Sequence, residues 1–86
     1  MANHQIILTK QGVQVLGEVK EENSKTITLY DPVIIVPIED KFILSPFYEP
    51  DLTDEKEAKF SKADLLVSPY KPTDKLMENY LEGRPK

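Results

Sequence analysis

The chain has 86 residues, no cysteine and a formal net charge of −4. A chain of this length forms a single domain, over residues 1–86, with a small core that tight packing or oligomerisation must support. The lack of cysteine excludes a disulfide scaffold and a cysteine-based metal site. The negative charge argues against binding a polyanion by bulk attraction.

The charge is unevenly distributed along the chain. Segment 49–57 carries five carboxylates and one lysine, which equals the whole net charge, so a local basic surface elsewhere remains open. No apolar run approaches the roughly 18 residues that span a membrane. The start of the chain lacks a signal-peptide pattern, and its His4 is expected to lie in a frayed N-terminus. We therefore expect a soluble cytoplasmic protein with no membrane partner.

The first half of the chain shows the periodicity of strands. Residues 5–9 are an apolar lead-in of undetermined type, and residues 12–19 alternate as a strand. The alternation of apolar and polar residues slips beside Gly17. A glycine inside a strand usually marks a bulge or bend, so we expect one here. The polar segment 21–25 has the length of a hairpin connector, and residues 26–30 alternate with β-branched side chains.

Three further apolar segments predict strands. Residues 31–32, Asp-Pro, are expected to make a turn or a kink. The continuous apolar run 33–38 is typical of a strand covered on both faces, in a core or at a subunit contact. Segments 42–48 and 63–70 both end in Ser-Pro-aromatic, and a proline there places each at a sheet edge or a strand end.

The second half also contains an acidic loop and a helix. We expect the loop over about 49–59, with a short helix at 53–59 as an open alternative. Thr73 as N-cap and Gly83 as terminator predict a C-terminal helix over about 73–82. The apolar stripe of this helix is Leu76, Met77, Tyr80 and Leu81. The expected fold is all-β with a short helix, a small, strongly bent, five-stranded antiparallel barrel of the SH3-like kind.

A family motif runs through residues 12–31. The spacing Gly12-x-x-Val15-x-Gly17-x-Val19, followed by Ile27-x-Leu29-x-Asp31, resembles the first Sm motif of the Sm and Sm-like RNA-binding proteins. In strand order and length, the whole chain is similar to a small marine-metagenome family of Sm-like proteins attributed to cyanophages. The resemblance implies an Sm-like barrel that forms a homo-oligomeric ring and binds single-stranded RNA or DNA.

The resemblance also implies which residues would bind. Members of the family hold uridine with an aspartate and an asparagine between strands two and three, and with an arginine–glycine pair in a second motif. Asn23 or Glu22 falls near the aspartate position and Thr26 near the asparagine position, and Lys62 stands in for the arginine. Lys25 occupies the place of the side chain that stacks on the base. Since lysine has no π face, Lys25 would contact phosphate instead.

Ring closure in this family pairs strand four of one subunit with strand five of the next. The resemblance therefore implies an interface between segments 42–47 and 65–70. The side chains expected there are Phe42, Leu44, Phe47, Leu65, Val67 and Tyr70. Head-to-tail pairing of this kind removes two exposed sheet edges at once.

Catalysis has little support in the sequence. No nucleophile has a recognisable base partner, and there is no glycine-rich phosphate loop. No cofactor and no metal are expected. The alternative to nucleic-acid binding is a protein-interaction or assembly module, in which Asp54, Glu55 and Glu57 of the acidic loop dock a basic partner.

Overall fold

The computed structural model describes residues 3–82. Its elements are β1 (His4–Leu8), β2 (Gln14–Glu22), β3 (Thr26–Ile38), β4 (Lys41–Pro46), β5 (Glu57–Ser61), a 3-10 turn at Lys62–Asp64 and α1 (Asp74–Glu82). All strand pairs are antiparallel, in the order β1-β2-β3-β4, and β5 also pairs with β3. The predicted all-β class with a short C-terminal helix is confirmed. Closure of the sheet into a barrel stays a prediction.

β3 is the longest strand and organises the sheet. β2 pairs along one of its edges, while β4 and β5 follow one another along the other edge, opposite residues 33–38 and 26–30. Residues 48–55 leave the sheet between these two strands, while Phe47 and Lys56 on either side of them still bond to Pro32 and Asp31 of β3. Of the turn or kink predicted at 31–32, the structure has the kink, which lies within one continuous strand and puts Asp31 at a φ of 52°. The prediction of two separate strands here is therefore wrong.

Gly17 lies opposite this kink. The register between β2 and β3 shifts at Gly17, which faces residues 31–32. A Cβ at this position would lie 2.9 Å from the Cβ of Leu29 and 3.2 Å from the carbonyl oxygen of Tyr30. Because such a contact requires one strand to move, the absence of a side chain is what lets the strands approach. The irregularity predicted at Gly17 is confirmed.

The sheet buries side chains on both faces. The face under α1 is a cluster of Ile6, Leu16, Val33, Leu76 and Tyr80. The opposite face is a cluster of Ile7, Val15, Ile27 and Leu29, with Phe47, Phe60 and Leu65 packed against it. Since successive strand residues point to opposite faces, Val15 and Leu16 are both fully buried. The slip in the alternation at Leu16 therefore reflects the cover that α1 provides.

α1 begins where its N-cap was predicted. The hydroxyl of Thr73 accepts a hydrogen bond from the backbone N–H of Leu76 at 3.2 Å, which satisfies one of the free N–H groups of the first turn. At the other end, Tyr80 is buried, and its hydroxyl donates to the carbonyl oxygen of Asp31 at 2.9 Å. This bond joins the helix to the kink in β3.

Two predictions for the ends of the chain need correction. His4 is part of β1, and its ring meets the ring of Tyr80 edge-on, with centroids 5.2 Å apart. Leu81 is 53% exposed and does not belong to the buried stripe of α1. Gly83, predicted to end the helix, lies outside the described residues.

No helix within residues 3–82 is long and apolar enough to cross a membrane.

The strand predicted at 63–70 is wrong. This segment begins in the 3-10 turn and then meets β1 at two isolated bridges, Thr9 to Leu65 and Ile6 to Tyr70. Between the bridges stands Pro69, which has no N–H to donate to a ladder. The last strand is β5 instead, where Ala58 is buried and Phe60 half-buried between exposed neighbours.

The acidic loop is shorter than predicted, because Glu57 already begins β5. No helix forms at 53–59. The hydroxyl of Thr53 accepts a hydrogen bond from the N–H of Glu55 at 3.0 Å, which makes a local turn instead of a helix cap. The loop that leaves the sheet is therefore segment 48–55.

Candidate nucleic-acid interface

Asn23 builds the turn between β2 and β3. Its side-chain Oδ1 accepts hydrogen bonds from the backbone N–H groups of Lys25 at 2.7 Å and Thr26 at 2.9 Å. Its own backbone N–H donates to the carbonyl oxygen of Thr26 at 3.0 Å. A short amide side chain suits this role, because it mimics a backbone acceptor within the turn. Since the oxygen serves the turn, a ligand would meet the side-chain NH2 group of Asn23.

β5 brings Lys62 to the same turn. Thr26 pairs with Ser61 in the ladder between β3 and β5. One residue later, the backbone N–H of Lys62 donates to the carbonyl oxygen of Lys25 at 2.8 Å. The four predicted binding residues therefore lie together at one end of β3, although β3, β4 and the acidic loop separate Lys62 from the others in the sequence.

Lys62 forms an ion pair with Glu22. Its Nζ lies 2.8 Å from Oε2 of Glu22, and the two side chains are 27% and 35% exposed. A pair this accessible contributes at most about 1 kcal/mol to stability, because solvent screens it. The carboxylate of Glu22 nevertheless offsets the positive charge of Lys62 that a phosphate would meet. Lys25 is exposed, and no carboxylate of the described residues pairs with it.

A groove of about 620 Å³ opens beside this ion pair. Glu22 and Lys62 line one part of it, Gln5 of β1 another, and segment 65–69 the rest. Within this segment the backbone N–H of Leu66 donates to the carbonyl oxygen of Leu8 at 2.9 Å, and the next bond to β1 is at Tyr70. The groove lies beside residues 67–69, between these two bonds. Sequence reasoning missed the groove, although Pro69 in an otherwise strand-like segment is the signal that pairing is interrupted there.

The groove has a mixed lining. Leu66 and Val67 are about half-exposed, while Gln5 and Ser68 contribute polar side chains. No aromatic residue belongs to the lining or to the turn at 23–25. The combined surface therefore offers apolar contact, hydrogen-bonding groups and lysine charge, without a ring on which a base could stack.

The predicted interface residues have two kinds of environment. Four of them pack within the subunit itself. Phe42 and Leu44 contact the cluster under α1, and Phe47 and Leu65 contact the cluster on the opposite face of the sheet. Val67 and Tyr70 are exposed. In the described part of the chain β4 pairs with β3 alone, and segment 65–70 with β1 alone, so each has a second backbone edge. Pairing between subunits stays a prediction, and it would depend on these edges.

Other chemistry is sparse in this region. Among residues 3–82, no group of three or more histidine, aspartate or glutamate side chains could hold a metal ion. The candidate interface offers hydrogen-bond donors, one exposed cation and one ion-paired cation, which are groups that bind a sugar–phosphate backbone. No protein-family model matches the sequence, and no curated protein matches it.

Proposed function

We propose that the protein is an Sm-like subunit that assembles into a homo-oligomeric ring and binds single-stranded nucleic acid, RNA or DNA, in the cytoplasm. Its role is to bind during nucleic-acid processing and not to catalyse a reaction. The observation that carries the proposal is the meeting of Lys62 with the turn at 23–26, through its backbone hydrogen bond to Lys25. Lysines and hydrogen-bond donors in such a cluster bind the backbone of a flexible single strand.

Two backbone edges, one of the strand β4 and one of the irregular segment 65–70, support the ring. An exposed edge is a liability that proteins pair or cover. β4 and segment 65–70 each have such an edge. Pairing β4 of one subunit with segment 65–70 of the next is a head-to-tail contact, and it forms a closed ring when the rotation between neighbouring subunits divides a full turn. A ring repeats the binding site, and repeated weak sites give avidity without a strong contact at any one of them.

Substituting the two lysines tests the site. Lys25→Ala and Lys62→Ala should each weaken binding of a labelled single-stranded oligonucleotide by about three- to tenfold, or roughly 0.7–1.4 kcal/mol. Each should also reduce the slope of log affinity against log salt by about 0.7, since one phosphate contact is lost. Fluorescence anisotropy over a salt series measures both quantities.

Lys41→Ala is the matched control for these substitutions. Lys41 is exposed at the tip of the hairpin between β3 and β4, at the far end of β3 from Lys62, and its loss changes the net charge equally. An equal loss of affinity in Lys41→Ala would assign the effect to net charge. If the wild type binds no pool of oligonucleotides even at low salt, the proposed function is wrong.

The acidic loop favours a second function, a protein-interaction module. Leu52 at its tip is 83% exposed, and the carboxylates around it would attract a basic partner. Reversing the charges of Asp54, Glu55 and Glu57 should abolish capture of such a partner in a pull-down. Reversal of Glu18, Asp74 and Glu78 is the control of equal charge. A complex that survives the loop reversal would exclude this surface.

A further inference from the structure

A strand held at Lys25 and Lys62 must place its bases somewhere on the surface. The turn at 23–25 contains no aromatic side chain on which a base could stack. The groove shares Lys62 with the proposed phosphate site and contains apolar side chains. The base of a nucleotide whose phosphate lies at Lys62 is therefore within direct reach of this groove.

We propose that the groove takes the base of the bound strand and that Glu22 makes it prefer bases with an exocyclic amine, such as cytosine, over uracil and thymine. This inference rests on the proposed function and names the base class that the same site would select.

The size and lining of the groove suit a base. Its volume of about 620 Å³ lies within the roughly 300–1,000 Å³ that is usual for small-molecule sites. Leu66 and Val67 are half-exposed, so they can cover the faces of a base that is taken out of water. Gln5 and Ser68 add hydrogen-bonding side chains to the lining. Aliphatic contact thus replaces the missing aromatic ring.

Glu22 supplies the discrimination. Its Oε2 lies 2.8 Å from Nζ of Lys62, and a carboxylate with two oxygens can accept further hydrogen bonds. An ammonium group has three donors, so Lys62 can hold Glu22 and a phosphate oxygen together. The amine at C4 of cytosine donates to a carboxylate, whereas the carbonyl oxygen at C4 of uracil is repelled by it. Cytosine and uracil are close in size, and on this edge they differ in that group and at N3, which accepts in cytosine and donates in uracil. A carboxylate that faces C4 therefore distinguishes them by the amine.

The main competing occupant is part of a second copy of the chain. The charges of the lining favour the nucleotide, because Lys62 attracts a phosphate and Glu22 accepts from a base amine. An apolar segment of another subunit would leave both charged groups to be buried without a new partner. The experiment below separates the two occupants.

The test compares single-stranded oligomers of cytidine, of uridine and of abasic sugar–phosphate, equal in length, at one salt concentration. The wild type should bind the cytidine oligomer at least about threefold more tightly than the uridine oligomer. It should bind the abasic oligomer most weakly. Glu22→Gln should bring the cytidine-to-uridine ratio close to one, because an amide both donates and accepts. Glu22→Asp should keep part of the preference.

Glu21→Gln is the matched control, since it removes the same charge from the exposed neighbouring residue and should leave the ratio unchanged. The double substitution Leu66→Ala and Val67→Ala should remove the advantage of the cytidine oligomer over the abasic one. These side chains are half-exposed, so the fold should tolerate the change. Urea unfolding of the variant verifies this.

Three results would overturn the inference. One is a wild type that binds uridine as tightly as cytidine, and another is a ratio that Glu22→Gln leaves unchanged. The third is a double variant of Leu66 and Val67 that loses native mass but keeps its cytidine-to-abasic ratio, which would assign the groove to a second copy. A wild type that binds none of the oligomers would instead overturn the proposed function itself, and the base site with it.

Discussion

Gly17 is a position at which a single methyl group should disturb the fold. A Cβ added at Gly17 would lie 2.9 Å from the Cβ of Leu29 and 3.2 Å from the carbonyl oxygen of Tyr30. We expect Gly17→Ala to lower the free energy of unfolding by about 1–3 kcal/mol, the usual cost of overpacking. Urea denaturation measures it. Gly12→Asn is the control, because Gly12 has a φ of 88° and open space around it, and asparagine tolerates that region.

Asn23 has two separable roles, and two substitutions distinguish them. Asn23→Ala removes the acceptor for the N–H groups of Lys25 and Thr26, so it should cost about 1–2 kcal/mol of stability. Asn23→Asp keeps an acceptor but replaces the NH2 group with negative charge. It should preserve stability in urea unfolding and weaken oligonucleotide binding. If Asn23→Asp binds as well as the wild type, Asn23 does not contact the ligand.

The helix stabilises the face of the sheet that it covers. Leu76 is 8% exposed in the cluster under α1, whereas Leu81 is 53% exposed on the same helix. The same substitution at these two positions is therefore a matched pair. Leu76→Ala should lower the free energy of unfolding by about 2–4 kcal/mol, and Leu81→Ala should change it by less than about 0.5 kcal/mol. Similar losses at both positions would contradict the packing of α1 described above.

We expect the sheet to tolerate removal of the acidic loop, because β4 and β5 lie along one edge of β3. Pro46 pairs with Val33 and Glu57 with Tyr30. Joining Tyr48 to Glu57 by deleting residues 49–56 would leave Phe47 and Tyr48 opposite residues 31–32. Lys56, whose carbonyl oxygen accepts from the Asp31 N–H at 2.6 Å, would be replaced there by Tyr48. We expect the deletion variant to unfold cooperatively in urea and to keep its affinity for single strands. Loss of the folded state would contradict this account of the edge.

At the scale of the whole molecule, the sequence indicates local features better than tertiary ones. The bend at Gly17, the strand at 26–30 and the cap at Thr73 each depend on a few adjacent residues, and each was predictable. β5 was not predicted from the sequence. Its alternation spans only Ala58 and Phe60, and it directly follows the acidic run, with which it was grouped as a loop. The burial of Leu16 depends on a helix far along the chain, which no local period reveals.

The candidate site shows the same limit. The polar connector at 21–25 was visible in the sequence, and the family resemblance of residues 12–31 grouped Lys62 with the binding residues of this turn. The ion pair with Glu22 depends on the pairing of β5 with β3, and the groove next to it depends on the path of segment 65–69. Side-chain pairing and cavities follow from three-dimensional packing, so periodicity and spacing could not predict them.

The central claim is a ring of identical subunits that binds a single strand. Its most direct test is the native mass in solution, measured by light scattering with and without a single-stranded oligonucleotide. We predict a mass several times that of one chain, which increases when the oligonucleotide is added at low salt and returns to its starting value at high salt. A mass equal to one chain that the oligonucleotide does not change would contradict both the ring and the binding.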